Sequence, residues 1–215
     1  MIGIDALEQA GLVTRELRGG ERDGAPTKIA VARRTYRAAV DDVWDALTDP
    51  ERLPRWFAPV TGDLREGGRY QVVGNAGGVV EECRAPDRLG LTWEMGDQVS
   101  WVEVLLAPAD GGTELTLLHE SHVDPAFWEQ FGPGAVGVGW DLALWGLAVH
   151  LATGAAVAQE DGEQWPMTPD GQAFIDHAAS GWARADAADG REAASAEAAG
   201  RRTFGFYTGT TAPEA

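Results

Sequence analysis

Cysteine is nearly missing: Cys83 is the only one in 215 residues, which excludes an intrachain disulfide and a thiolate-clustered metal site. A reducing, cytoplasmic setting is the expectation. Lysine is as scarce, Lys28 being the sole example among seventeen basic residues, a skew that fits genome base composition and carries no chemistry. Cationic charge is outnumbered two to one, because thirty-four acidic side chains leave a net charge of -17. Such a surface repels phosphate backbones and anionic headgroups, so neither nucleic acid nor a membrane is an expected partner. The N-terminal MIGIDALEQAGLV has no cationic stretch ahead of its short apolar run and carries Asp5 and Glu8, so it does not read as a secretory signal.

What is present is a globular composition, 44% hydrophobic and 24% charged, on a chain long enough for one large domain. One stretch, Gly134 to Ala158, imitates a membrane span. Asp141 and His150 argue against that, since a carboxylate at the centre of a span costs about 2.5–3.5 kcal/mol on insertion scales. A helix apolar on nearly every side reads instead as one buried within the protein.

Along the chain, Ala6 to Leu12 suits a short helix and Val13 to Leu17 an edge strand, followed by a turn at Gly19, Gly20, Asp23, Gly24 and Pro26. KIAVARRTY reads as a strand, and VDDVWDALTDPERLPRWF places Val43, Trp44, Leu47, Leu53, Trp56 and Phe57 on two short helices joined at Asp49-Pro50. From Pro59 to Val123 the period changes to two, with Gly-rich or Asp-Gly breaks that predict antiparallel hairpins. In TELTLLHESH, Leu115, Leu117 and His119 share one face, and each strand has one face to bury.

The cover for that face is expected from a helix of about Gly134 to Thr153, with Val136, Trp140, Leu144, Leu147 and Leu151 at helical spacing. Its other side, with Leu142, Trp145 and Val149, is also apolar and needs a second partner. The C-terminal zone supplies one: after a Gln159 to Gln164 linker, Thr168-Pro169 reads as an N-cap with a first-turn proline. Phe174, Trp182, Phe204, Phe206 and Tyr207 are expected to bury on the order of 150–250 Å² each.

The order strand, two short helices, about six antiparallel strands, long helix is a helix-grip arrangement. VDDVWDALTDPERLPRWFAP, GDLREGGRYQV, APDRLGLTWEM, GGTELTLLHE and GVGWDLALWGLAVHL together resemble the SRPBCC (START-like) superfamily, in the branch similar to the C-terminal domain of the Hsp90 ATPase activator. The resemblance covers about residues 27–153. It implies an α+β fold, a curved antiparallel sheet gripping a long C-terminal helix, with an apolar cavity between them. Residues 1–26 and 154–215 then become N- and C-terminal extensions of that domain. It does not fix a reaction, since members include ligand carriers, polyketide cyclases and aromatases, resistance proteins and co-chaperones.

The motifs with catalytic or cofactor-binding spacing fail on context. GPGAVG at Gly132 to Gly137 has dinucleotide-loop spacing, but AFWEQF stands where a strand should precede it, so close packing at a helix start is the better reading. HESH sets His119 and His122 three apart on a strand, on opposite faces, which no zinc site of the H-E-x-x-H kind tolerates. No G-x-S-x-G occurs. No cofactor and no metal are expected. Glu81 and Glu82 are adjacent on a strand and cannot form a carboxylate pair. Asp141 reads as the partner of an arginine or a backbone cap.

The candidate ligand-binding residues are Trp56, Tyr70, Trp93, Leu117, His119, Trp128, Trp140, Leu144 and Leu147. His119 is the one candidate acid or base, with an ordinary pKa of about 6.5; a histidine satisfied by backbone groups is the favoured reading of it, and a plain core tyrosine that of Tyr70. The resulting expectation is a small hydrophobic partner, aromatic or polyketide-like, held in the cavity by apolar burial at about 25 cal/mol per Å². The alternatives are a cyclase-, aromatase- or hydratase-type enzyme using His119, and a protein-binding regulator like the chaperone activator. The acidic C-terminal zone suits either an intramolecular lid or a homodimer contact.

Overall fold

The computed structural model describes residues 6–156 and 164–210. Eight strands form one sheet in the order β1-β2-β8-β7-β6-β5-β4-β3. They are β1 (Thr14–Arg22), β2 (Ala25–Tyr36), β3 (Val60–Gly62), β4 (Arg69–Val72), β5 (Gly77–Arg84), β6 (Arg88–Met95), β7 (Gln98–Ala109) and β8 (Gly112–His122). The helices are α1 (Ala6–Gly11), α2 (Val40–Thr48), α3 (Pro125–Phe131), α4 (Gly134–Thr153), α5 (Pro169–Ala188) and α6 (Ala193–Thr208). The fold is α+β and helix-grip in type, with β3 to β8 paired antiparallel in sequence order. Most of the linker read at Gln159 to Gln164 lies outside the described residues.

Tertiary contacts divide the chain into two compact units, one within Met1–Ala32, His122–Trp145 and Ala158–Ala215, the other within Arg33–Ser121 and Gly146–Val157.

The second, sheet-bearing unit is built from β-hairpins because its sequence alternates. Leu115, Leu117 and His119 are 1%, 5% and 7% exposed, as the period of two requires. Of the two short helices expected before the sheet, the first is α2 and the second is only a three-residue 3-10 turn, Leu53–Arg55, with Pro54 inside it. That turn anchors the last part of α4: Arg52 Nε donates to His150 Nε2 at 3.2 Å, and an Arg55 guanidinium N–H donates to the Gly154 carbonyl at 2.6 Å. Gly146 sits so close that a Cβ there would be 2.6 Å from the Trp56 carbonyl oxygen, so only glycine lets helix and turn meet.

In the helical unit, α5 begins as its sequence signals, the Thr168 side chain accepting from the Gly171 N–H with Pro169 in the first turn. α5 buries Phe174, Ala178, Trp182 and Ala185, the residues at helical spacing. Phe206 does not follow the expectation of burial, because it lies on the outer side of α6 and is 64% exposed. Val136, placed on the covered stripe of α4 by its spacing, is 37% exposed. α4 is long and apolar enough to cross a membrane by length and composition, yet more than half of that stretch is buried in the protein. Its one carboxylate, Asp141, is fully buried and meets Arg15 of β1, whose Nε donates to Oδ2 at 3.0 Å, while Trp182 Nε1 of α5 donates to the same oxygen at 2.8 Å. Gly137, one turn earlier, leaves room for the Trp182 ring, which a Cβ would approach to 2.3 Å.

Candidate functional site

Strand register decides which of the candidate residues share a surface. In the sheet-bearing unit Val80 pairs with Leu91, Leu91 with Val102 and Val102 with His119, so these four form one row across β5 to β8. The neighbouring rows are Leu89, Val104 and Leu117, and then Trp93, Ser100 and Ser121. Residues directly opposite in a pair lie on the same face. His119, Leu117 and Trp93 therefore share one side of the sheet. Tyr70 on β4 joins them, its ring centroid 6.4 Å from that of Trp93.

The apolar part of this face has an unusual burial profile. Tyr70, Val72 and Val80 are buried, and around them Phe57, Ala58, Val60, Leu64, Leu89, Leu91 and Trp93 are packed yet only partly buried. Every residue of β6 from Arg88 to Glu94 keeps intermediate exposure. A central strand flanked on both edges by partners normally buries one face.

The polar part is a chain of three groups on three strands. The Ser100 hydroxyl donates to the Trp93 carbonyl at 3.1 Å, and His119 Nε2 lies 2.8 Å from Ser100 Oγ. With the hydroxyl proton spent on Trp93, Nε2 carries the imidazole proton and donates to Ser100 Oγ, a tautomer assigned from the network. Burial pushes the His119 pKa down to about 4. The ring is neutral at neutral pH. Tyr70 donates its hydroxyl to the Thr92 carbonyl at 2.6 Å, and burial, with Glu94 nearby, raises its pKa well above the ordinary value.

The remaining candidates are placed as follows. Trp56 spends its indole N–H on the Ala46 carbonyl of α2 at 2.9 Å and sets its ring against Phe57 at 5.4 Å between centroids. Leu147 is fully buried in the sheet-bearing unit's part of α4. Trp128, Trp140 and Leu144 belong to the helical unit; Leu144 is buried, the two tryptophans partly so. Among these, the Trp128 carbonyl accepts from Arg191 at 3.0 Å. Ser100 escaped the sequence reading. Period two places it on the face of Val102 and Val104, but nothing in the sequence says that β7 and β8 pair in the register that sets it diagonal to His119.

These features define a helix-grip domain with a half-buried apolar sheet face tipped by a neutral histidine. The chain belongs to the family of Activator of Hsp90 ATPase homolog 1-like proteins, which matches residues 37–152. Among solved structures it is similar to CalU16 from Micromonospora echinospora. In the crystal structure of that protein the identity is 30%, the match covers 81% of this chain and 98% of CalU16, and the TM-score is 0.64. In its solution structure the identity is 31%, the coverage 82% and 96%, and the TM-score 0.69. This likeness reaches well past the family match, into the flanking segments. DynU16, from the dynemicin biosynthetic locus, shares the fold at 22% identity, with 67% of this chain and 49% of DynU16 covered and a TM-score of 0.52. No curated protein matches the chain.

Proposed function

We propose that this protein binds a small hydrophobic molecule, aromatic or polyketide-like, on the inner face of its sheet, within a helix-grip domain of residues 27–153 extended at both ends. The observation that carries this reading is the partly buried apolar rim of Phe57, Leu64, Leu89, Leu91 and Trp93 around the buried Tyr70, Val72 and Val80. Apolar area left half-covered is area a ligand can bury, at about 25 cal/mol per Å². His119 and Ser100 sit beside it as an uncharged polar pair that orients the ligand. The depressed basicity of His119 supports orientation over proton transfer, because a general acid or base works best with a pKa near the operating pH. DynU16's place in a biosynthetic locus is compatible with a small-molecule partner. The lone cysteine and the acidic surface suit a cytoplasmic protein that avoids nucleic acid and membranes.

The test is a titration with N-phenyl-1-naphthylamine, an uncharged probe that brightens in apolar surroundings. Saturable one-site binding is expected, weakened at least about 10-fold by Leu91→Asp, which puts a charge in the middle of the rim. Absence of saturation, or equal affinity in a Leu91→Asp protein whose melting is unchanged, refutes the proposal.

A further inference from the structure

Within the helical unit, Trp145 of α4 and Trp165 of the 3-10 turn Trp165–Met167 lie face to face, with centroids 4.2 Å apart and planes 17° from parallel. Phe174 of α5 closes the end of this stack, meeting Trp165 edge-on at 5.4 Å and Trp145 at 6.0 Å. Two features set the stack apart from ordinary core packing. The buried Trp145 holds its indole N–H without an acceptor among the described residues, an unfavourable arrangement that buried donors rarely show. Trp165, in contrast to the buried Trp145 and Phe174, is only partly buried.

The main chain beneath Trp165 is fixed. Its carbonyl accepts from the Thr168 hydroxyl at 2.7 Å and from the Thr168 N–H at 2.9 Å, and Gly171 approaches so closely that a Cβ there would be 2.0 Å from that oxygen. The ring, however, turns about two side-chain torsions, and partly exposed side chains change rotamer readily. Its departure would uncover a slot one ring thick, floored by the Trp145 face and ended by Phe174.

We propose that Trp165 is a swing-out plug and that the slot beneath it is a second binding site, for a planar, uncharged or cationic aromatic molecule stacked on Trp145. Stacking on an indole face selects flat π systems of any sequence of atoms. The sequence of the helical unit carries more acid than base, which disfavours an anion. The site is independent of the sheet face, since all three rings belong to the helical unit.

Acridine at pH 8, where it is uncharged, is the probe. A stacked tryptophan pair gives an exciton couplet in far-ultraviolet circular dichroism, and saturating acridine is expected to abolish it in the wild-type protein. Trp165→Ala should lack the couplet and bind acridine about 10-fold more tightly, because no ring competes for the slot. Leu91→Asp should lose the couplet over the same acridine range as the wild type, whatever acridine the sheet face holds, and Trp145→Leu should lose the binding step at the slot. A couplet that survives saturation in the wild type or in Leu91→Asp, or a Trp165→Ala protein that binds no better than wild type, overturns the proposal. Should Trp145→Leu fold poorly, the wild-type couplet and the Trp165→Ala gain decide without it.

Discussion

The buried pair of Arg15 and Asp141 offers a test in which its two halves behave unlike each other. Arg15 also ties down β1 and α1 through guanidinium bonds to the Val13 and Ala10 carbonyls, at 3.0 and 3.1 Å. Its carboxylate partner is completely buried, accepts Arg15 and Trp182 on Oδ2, and has no partner for Oδ1 among the described residues. Desolvation therefore dominates, and the Asp141 pKa is raised despite the opposing pull of Arg15 and Trp182. Asp141→Ala strands a guanidinium that cannot shed its proton, and removing one member of a buried pair costs about 3–5 kcal/mol. At about 2–4 °C per kcal/mol for a chain of this size, melting should fall by about 6–20 °C.

Arg15→Met strands the carboxylate instead, and a carboxylate has a way out, because it takes up a proton. Between its unfolded pKa and its raised folded pKa the native protein binds more protons than the unfolded chain, so this group's contribution is largest at low pH and is lost as pH rises through the folded value. Without Arg15 the folded value rises further, at about 1.36 kcal/mol per pKa unit. The Arg15→Met deficit should therefore be smaller at pH 5 than at pH 7.5, whereas the Asp141→Ala deficit should not shrink at all. His177, whose pKa is lowered by burial and by Arg15, titrates in the opposite sense and responds to both substitutions, so the variants are compared in a His177→Gln background at each pH. The assay is thermal melting followed by far-ultraviolet circular dichroism at both pH values. Equal pH responses of the two variants, or an Asp141→Ala protein that melts within 2 °C of the wild type, would refute the reasoning.

Two further outcomes follow from single contacts. Gly137→Ala, which in an exposed helix would gain about 1 kcal/mol, should here cost about 1–3 kcal/mol in chemical denaturation, since its Cβ would sit 2.3 Å from the Trp182 ring; a gain in stability contradicts the packing described. His119 should titrate by NMR with a midpoint of about 4. Its folded pKa lies below the unfolded value, so the stability it contributes is present above about pH 6.5 and is lost as pH falls from there towards 4; a midpoint near 6.5 would mean the ring is solvated and the polar chain through Ser100 absent.

Periodicity carried the sequence reading as far as periodicity goes. Alternation put Leu115, Leu117 and His119 on one face, and their burial agrees. The N-cap chemistry at Thr168-Pro169 is local, so it was legible, as was the need of Trp145 for a cover, which Phe174 and Trp165 supply. Partners far apart in the chain were not. Asp141 was readable as wanting a cation, but Arg15 lies 126 positions away and competes with sixteen other basic residues. The bulge between Val80 and Glu82 shifts the register of β5 against β6, and alternation alone gives no sign of it. Phe206 misled because aromatic content predicts burial only on the side of a helix that meets something: its ring is 5.5 Å from Phe131 yet mostly open to solvent.

Two of the protein's buried polar clusters, around Asp141 and around His119, meet the same physical difficulty in different ways, and the difference bears on what each surface can hold. In the helical unit a formal charge is kept and, among the described residues, compensated on one oxygen only, a costly arrangement retained where it joins β1, α4 and α5. On the sheet face the charge is given up: burial drives the proton from the imidazolium, and Nε2 of the neutral ring meets the Ser100 hydroxyl, which donates onward to a backbone carbonyl. An imidazolium there would hold water against Leu91, Val102 and Trp93 and leave the apolar rim wet. On the proposed reading, a neutral imidazole would let that rim be dried by an uncharged molecule at no cost in counter-charge, so the shift that takes His119 away from acid-base work at neutral pH agrees with the hydrophobic binding proposed above.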